Sequence, residues 1–394
     1  MYMIKLIKST FYQEEKTKKR ICSFITKSKQ LSFGPMCEKF EKEFAQWQGR
    51  KHCVMVNSGS SADLAMIQAL MNLGKLQKGD KVGFSAVTWS TNVMSIIQLG
   101  LIPVPIDVEM DTLNGSSATL ETALTKYNLR MVFLTNLLGF CSDVDKIQAM
   151  CKKKNIILIE DNCESLGTVY KKKKLGNFGL MSAFSFYVGH HLSTVEGGAI
   201  CTDDEKLATM LRLVRAHGWD RNLSFSNQVE IRKKFKVNST FYSRYTFYDL
   251  GYNFRPTEIT GIAGLAQLQY LDSIVSKRQK NFMKFAKAIY SQLDRYYPLR
   301  YEHIDLISNF AVPVVCRSIA IRDELVKKCE GKIEIRPIVG GDMTNQPFFK
   351  KYFHGSYPHC PVANKIHTHG LYFGNNPEMT EKEIQIIIKL FTTK

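Results

Sequence analysis

Between Lys51 and Asp204 short apolar runs alternate with segments of helical periodicity, and that alternation narrows the chain to one architecture. "HCVMVNSG" leads into "SADLAMIQALMNLG", and "DKVGFSAVTW" into "STNVMSIIQLG". "IPVPIDV" follows, then "MVFLTNLLG" with "DVDKIQAMCKKK", "IILIEDNCE", and the closing pair "SAFSFY" and "GAICTDD". Apolar runs of about four to eight residues with helices between them predict an α/β fold, a mostly parallel sheet covered by helices on both faces. The segment "TEITGIAGLAQLQYLDSIVSKRQKNFMKFAKAIYSQL" predicts one long helical region. Shorter strands in "NFAVPVVC" and "KIEIRPIV" then predict a smaller C-terminal α/β domain. The expected division is an N-terminal helical segment with a lead-in over 1–30, placed to cross to a partner subunit, then a large domain over 31–260. A connecting helix and small domain complete it over 261–394. No repeat or low-complexity linker separates these parts, so close packing is expected.

Composition sets the setting. The 394 residues are 44% apolar and 23% charged, as in soluble globular proteins. No apolar run nears the roughly 20 residues that span a bilayer. The N-terminus lacks a clean apolar core and a small-residue cleavage site, so no signal peptide is expected. Ten cysteines occur singly, with no C-x-x-C pair, which predicts reduced thiols in a cytoplasmic protein and no metal site. The net charge of +18 favours anionic partners. The basic residues are spread in short clusters, without a zinc finger, an RNP motif or an arginine-rich arm, so neither nucleic acid nor membrane is the expected partner.

Ligands of doubly wound sheets bind at the carboxyl ends of the strands, and the unusual residues collect there. After the first strand, "NSGSSADLAM" supplies Gly59 and Ser60 at a helix N-terminus, suited to a phosphate or to an ordinary serine cap. Asp161 after "IILIE", with Glu164 beyond it, could pair with a protonated ring nitrogen or serve as a cap or ion-pair partner. Trp89 offers a face for stacking on a flat ring or a core side chain, and Ser185 a further phosphate contact. Arg221 and Arg255 suit carboxylate or pyrophosphate recognition, or ion pairs at a surface. "VYKKKKLGNFG" predicts an exposed hairpin.

Taken in order, "NSGSSADLAM", "DVEMDTLN", "IEDNCESLGTVYKKKKLGNFGLMSAFSFY", "EGGAICT", "RAHGWDR" and "GYNFRPTEI" closely resemble the DegT/DnrJ/EryC1/StrS family of sugar aminotransferases. The resemblance covers nearly the whole chain. It implies a fold-type-I, aspartate aminotransferase-like enzyme that binds pyridoxal 5'-phosphate and acts on nucleotide-linked keto-sugars as a homodimer with shared active sites. It also implies a cofactor site made by Gly59, Ser60, Trp89, Asp161, Glu164 and Ser185, with Asn253 reaching in from the partner subunit and His217 lining the site.

One departure from the family pattern changes the expected chemistry. The family carries a Schiff-base lysine six residues before the glutamate of "EGG", and here that position is His190 in "FYVGHHLSTVEGG". No lysine lies between Lys174 and Lys206, and an imidazole is no primary amine. It can still take and give protons near neutral pH. The resemblance thus moves to a variant branch, the 3-dehydratases of 4-keto-6-deoxyhexoses. It implies non-covalently bound pyridoxal/pyridoxamine phosphate, L-glutamate as amino donor, and His190 as the catalytic base. GDP-4-keto-6-deoxy-D-mannose is the preferred substrate, in dideoxysugar and O-antigen (lipopolysaccharide) biosynthesis. Three other readings stand beside this one: an aminotransferase working without its lysine, an iron–sulfur-type 3-dehydrase, and a silent binding relative. The iron–sulfur type needs clustered thiolates, whereas no two cysteines here lie within nine residues of each other.

Overall fold

The structure is a computed structural model and describes residues 3–393. Helices α1 (Glu14–Lys27) and α2 (Pro35–Gln48) precede the sheet, and Gly49 ends α2 in the left-handed conformation that glycine adopts freely. Strands β1 (His52–Val56), β2 (Lys81–Ser85), β3 (Ile102–Ile106), β4 (Met131–Thr135) and β5 (Ile157–Asp161) alternate with α3 (Gly59–Asn72), α4 (Ser90–Gln98), α5 (Ser117–Leu124) and α6 (Val144–Lys153). A two-stranded hairpin, β6 (Val169–Tyr170) and β7 (Lys173–Lys174), holds the lysine run, with Lys171 and Lys172 at its tip. Strands β8 (Met181–Ser185) and β9 (Gly198–Thr202) complete a seven-stranded sheet of order β1-β9-β8-β5-β4-β2-β3.

Only β9 runs antiparallel to its neighbours, β1 and β8. Two reversals cancel, so β1 and β8 point the same way, and both deliver their carboxyl ends to the edge where β2, β4 and β5 end. The strands are buried almost throughout because helices cover both faces, which is why they read as continuous apolar runs rather than alternating ones.

After β9 come α7 (Glu205–Arg215), α8 (Phe225–Lys234), α9 (Glu258–Leu268) and α10 (Leu271–Ile289). The expected single helix over α9 and α10 is therefore two. Gln269 and Tyr270 interrupt it with a tighter turn, the Tyr270 N–H donating to the Gln267 carbonyl, and Leu271 is turned into the core. The small domain is an antiparallel sheet of order β10-β12-β11, built from β10 (Ala311–Val315), β11 (Ile335–Pro337) and β12 (Gly370–Gly374). It is flanked by α11 (Ile319–Cys329), α12 (Pro347–Tyr352), α13 (Pro361–His369) and α14 (Glu381–Thr392). One apolar cluster runs from Val104, Ile106 and Val132 of the large sheet through Phe282 and Phe285 of α10 to Val312 and Phe373 of the small one. The two sheets thus share a core.

The lead-in before α1 lies on its own chain. Ile4 pairs in parallel with Ile333, and the Leu6 N–H donates to Glu334 Oε2 at 3.0 Å. Among the described residues no helix is long and apolar enough to cross a membrane.

Candidate active site

The shared carboxyl edge of the strands opens into a cavity of about 370 Å³. That volume suits a small cofactor with part of a substrate. Gly59, Ser60, Trp89, Asp161, Glu164, Ser185 and His190 all line it, so seven of the residues singled out from sequence meet in one place.

Each is held there by its element. Ser58 caps α3, its Oγ accepting from the Ser61 N–H at 3.0 Å, and this leaves Gly59 and Ser60 in the first turn, where N–H groups have no intrahelical acceptor. Gly59 has to be glycine. A Cβ there would stand 2.7 Å from Ser185 Cβ and 2.9 Å from Cys163 Sγ. That close approach brings the Ser185 hydroxyl, at the end of β8, against the helix start. The result is a cradle of backbone N–H groups and small hydroxyls at the positive end of a helix, which fits a phosphate.

Asp161 ends β5. Its Oδ2 accepts from Asn92 Nδ2 at 3.0 Å and its Oδ1 from the Cys163 N–H at 2.9 Å. Strand alternation gives the preceding residue the opposite fate. Glu160 points to the other face, where the N–H groups of Gly176, Phe178 and Gly179 satisfy it within the protein. Glu164 accepts from the Leu138 N–H at 3.0 Å. Burial pushes its carboxyl up to about 8; the nearby Asp161 adds to the shift and the Leu138 N–H opposes it. Asp63 on α3 is also raised, by burial and by Asp161; its Oδ2 accepts from Thr91 Oγ1 at 3.1 Å and its Oδ1 has no partner. Trp89 is at the N-cap of α4 rather than at the strand end, and it is 52% exposed, its open face turned to the cavity rather than into the core.

His190 sits in the excursion between β8 and β9. The turn is closed by Val188 N–H donating to the Val195 carbonyl at 3.0 Å, with Val195 at φ 71°. Arg278 of α10 ties the turn to the small domain, donating to the carbonyls of His190 at 3.1 Å, Phe310 at 3.3 Å and Asn375. The Phe310 ring lies 5.0 Å from that of His190, centre to centre. Burial, and then the Arg278 guanidinium, hold the His190 imidazole down to about 4, so it rests neutral. Its Nδ1 has no partner in the protein. His191 faces away, buried, with Nε2 at 3.2 Å from the Ser308 carbonyl. Among the described residues no lysine lines the cavity.

The remaining sequence candidates form a second cluster outside this cavity. Ala216 pairs with Asn253 and Trp219 with Phe247, which draws His217, Arg221, Asn253 and Arg255 together. Arg221 lies over the Trp219 ring at 4.1 Å, and Arg255 Nε donates to Asn253 Oδ1 at 3.0 Å. Sequence reasoning missed Leu6, Ile7, Asp63, Phe310, Arg336 and Tyr372, which also line the cavity. Asp63 alone carried a local signal, one helical turn beyond Gly59; the others arrive from distant segments.

A mostly parallel sheet with helices on both faces and this site at its carboxyl edge is the fold-type-I, aspartate aminotransferase-like architecture. The chain belongs to the DegT/DnrJ/EryC1/StrS aminotransferase family, which matches residues 12–392. It is 35% identical to a GDP-4-keto-6-deoxy-D-mannose 3-dehydratase of Yersinia pseudotuberculosis, over 93% of each chain. It is also similar to two solved structures of GDP-4-keto-6-deoxymannose 3-dehydratase, both at a TM-score of 0.88 and 33% identity. One, a histidine-to-asparagine variant with bound GDP-perosamine, is matched over 98% of this chain and 100% of that one. The other, holding a trapped pyridoxal phosphate–glutamate geminal diamine, is matched over 98% and 99%.

Proposed function

We propose that this chain is a pyridoxal phosphate-dependent, glutamate-using 3-dehydratase of a nucleotide-linked 4-keto-6-deoxyhexose, GDP-4-keto-6-deoxy-D-mannose above others. The observation that carries the reading is His190, an imidazole at the wall of a cavity that no lysine lines among the described residues. The similar dehydratases support the substrate and the amino donor.

The donor set fits the cofactor. Gly59, Ser60 and Ser185 would hold its phosphate, Asp161 would keep its ring nitrogen protonated, and Trp89 would cover one face of the ring. Bound there, the cofactor supplies a carbonyl for amine exchange and an electron sink for the departure of a neighbouring hydroxyl. His190, neutral at rest, accepts a proton on its imidazole and returns it to the leaving hydroxyl, which departs as water. Glu164, whose carboxyl burial pushes up to about 8, can donate a hydrogen bond in its protonated form. The net change is glutamate to 2-oxoglutarate and ammonia, with loss of the C3 oxygen from the sugar.

In this reading the second cluster, Asn253 with His217, Arg221 and Arg255, serves the cavity of the partner in a homodimer. Its arginines suit the diphosphate of the nucleotide. Ten free cysteines, eight of them buried, favour a cytoplasmic setting in which dideoxysugars of O-antigen type are made. Among the described residues no three His, Cys, Asp or Glu side chains are grouped so that they could hold a metal ion, which disfavours the iron–sulfur type. The test supplies pyridoxal phosphate, L-glutamate and GDP-4-keto-6-deoxy-D-mannose and follows products by mass spectrometry. A 3-deoxy-4-keto product with ammonia is expected, and a 4-amino sugar that keeps its C3 hydroxyl would overturn the reading. Borohydride should leave the chain unlabelled by cofactor.

A further inference from the structure

The lead-in to α1 contributes Leu6 and Ile7 to the lining of the cavity. Ile4 is anchored as an extra strand beside β11: its N–H donates to the Lys332 carbonyl at 2.8 Å, and the Glu334 N–H donates to its own carbonyl at 2.9 Å. Lys8 is anchored on the far side, Nζ donating to the Glu378 carbonyl and to Glu383 Oε2, each at 2.8 Å. Between these pins the backbone of Leu6 lies against Gly374, where any Cβ would come within 2.9 Å of Leu6 Cα. Leu6 and Ile7 are therefore held as a strap. Neither is buried in the apolar cores; both present half-exposed side chains to the cavity. The Ile7 methyl Cδ1 reaches to 3.5 Å from the Cβ position of Gly189, next to His190. The Phe310 ring also packs against that of His190, and both Phe310 and Val339 line the cavity.

A half-exposed isoleucine fixed at a cavity wall costs solvation free energy unless something apolar meets it. The proposed reaction breaks a bond at C3 and works through C4, beside His190. The other carbon bonded to C4 is C5, which carries C6. In a 6-deoxy sugar C6 is a methyl group, the one apolar substituent of the ring. We propose that the strap sets substrate specificity: Ile7, supported by Leu6, forms with Phe310 and Val339 an apolar wall that receives the C6 methyl and disfavours a hydroxymethyl group there. This rests on the dehydratase reading given above.

The test is direct binding, without turnover. GDP-6-deoxy-D-mannose and GDP-D-mannose differ only by the C6 hydroxyl, and neither has the 4-keto group. Calorimetric titration of the cofactor-loaded protein should show a preference of about 10- to 100-fold for the 6-deoxy ligand, the range that an apolar pocket reaches against an added hydroxyl. Ile7→Ser should narrow the preference to within about threefold, partly by tightening GDP-D-mannose, while Ile7→Val should keep most of it. Ile7→Ala, which introduces no polar group, should weaken the 6-deoxy ligand without tightening GDP-D-mannose. If both ligands bind and the ratio is unchanged in Ile7→Ser and Ile7→Ala, the strap has no such role, and the dehydratase reading stands. If wild type binds neither ligand, both fall.

Discussion

The two walls of the cavity are built differently. The carboxylate wall grows out of parallel strands: Asp161 is set by strand register, the start of α3 by its helix cap, and Glu164, in the turn after β5, by the Leu138 N–H. The histidine wall is an irregular turn between β8 and β9, held by the reach of Arg278 from α10 and by a non-glycine residue at positive φ. The regular wall suits binding, because a cofactor has to be held in one pose. The irregular wall suits proton transfer, because its imidazole is neutral and lines the cavity. In families that use lysine, one residue on the second wall both tethers the cofactor and moves the proton. In the proposed reading that tether is gone, and the first wall would have to hold the cofactor without it.

That division is broken most sharply by His190→Asn. Dehydration should fall by roughly 10²- to 10⁴-fold, the usual share of a positioned acid–base group. Cofactor absorbance and affinity should stay close to wild type. If activity survives, the base lies elsewhere; if cofactor binding collapses with activity, the two walls are not separate in function.

The converse substitution, Asp161→Asn, should weaken cofactor binding by roughly 10- to 100-fold, as expected for loss of a charge-assisted hydrogen bond of about 1.5–3 kcal/mol. An equilibrium titration followed by absorbance measures it. Unchanged affinity would show that Asp161 is not the ring-nitrogen partner.

The walls also differ in the sign of their pH dependence. In the cofactor-free protein Glu164 titrates near 8 when folded, against 4.5 as a free side chain, so the folded chain binds the extra proton between those values. Stability from Glu164 is therefore present below about 4.5 and is lost as pH rises toward 8. His190 runs the other way: its folded value near 4 lies below 6.5, and the unfolded chain binds the extra proton between them. Stability then falls as pH drops from about 6.5 toward 4. Glu164→Gln should flatten the alkaline slope by roughly 1–3 kcal/mol and leave the acidic slope in place, as read from denaturant midpoints across pH. A slope that persists in Glu164→Gln would place the titrating group elsewhere.

The same contrast decides what the sequence could reveal. Strand-and-helix alternation predicts β1 to β5, β8 and β9, and the carboxylate wall follows because its residues sit next to those strands in the chain. The adjacent Glu160 and Asp161 look alike in sequence, and only the pleat separates a satisfied structural carboxylate from the one in the cavity. On the other wall His190 is legible from its neighbours, but Arg278, Phe310 and the Leu6–Ile7 strap are not. They reach it through packing of segments about 90 to 180 residues away, which no local period encodes. The break between α9 and α10 escapes for a similar reason: Gln269 and Tyr270 are ordinary helix residues, and the burial of Leu271 decides the turn.

The smallest effect tests whether the irregular wall stores strain. Val195 is β-branched, sits at φ 71° and is 49% exposed, so packing gives it little in return for a conformation costing about 1–3 kcal/mol in such residues. Glycine takes that conformation freely, although it also adds entropy to the unfolded chain. Val195→Gly should therefore raise stability by a net of about 0.5–1 kcal/mol, read as a small increase in the denaturant midpoint with an unchanged slope. If strain serves only to keep the turn in place, the turnover number should be unaltered. A stabilised variant with reduced turnover and unchanged cofactor affinity would show instead that the positive φ helps aim His190, five residues away, and would give the histidine wall a mechanical role that the carboxylate wall lacks.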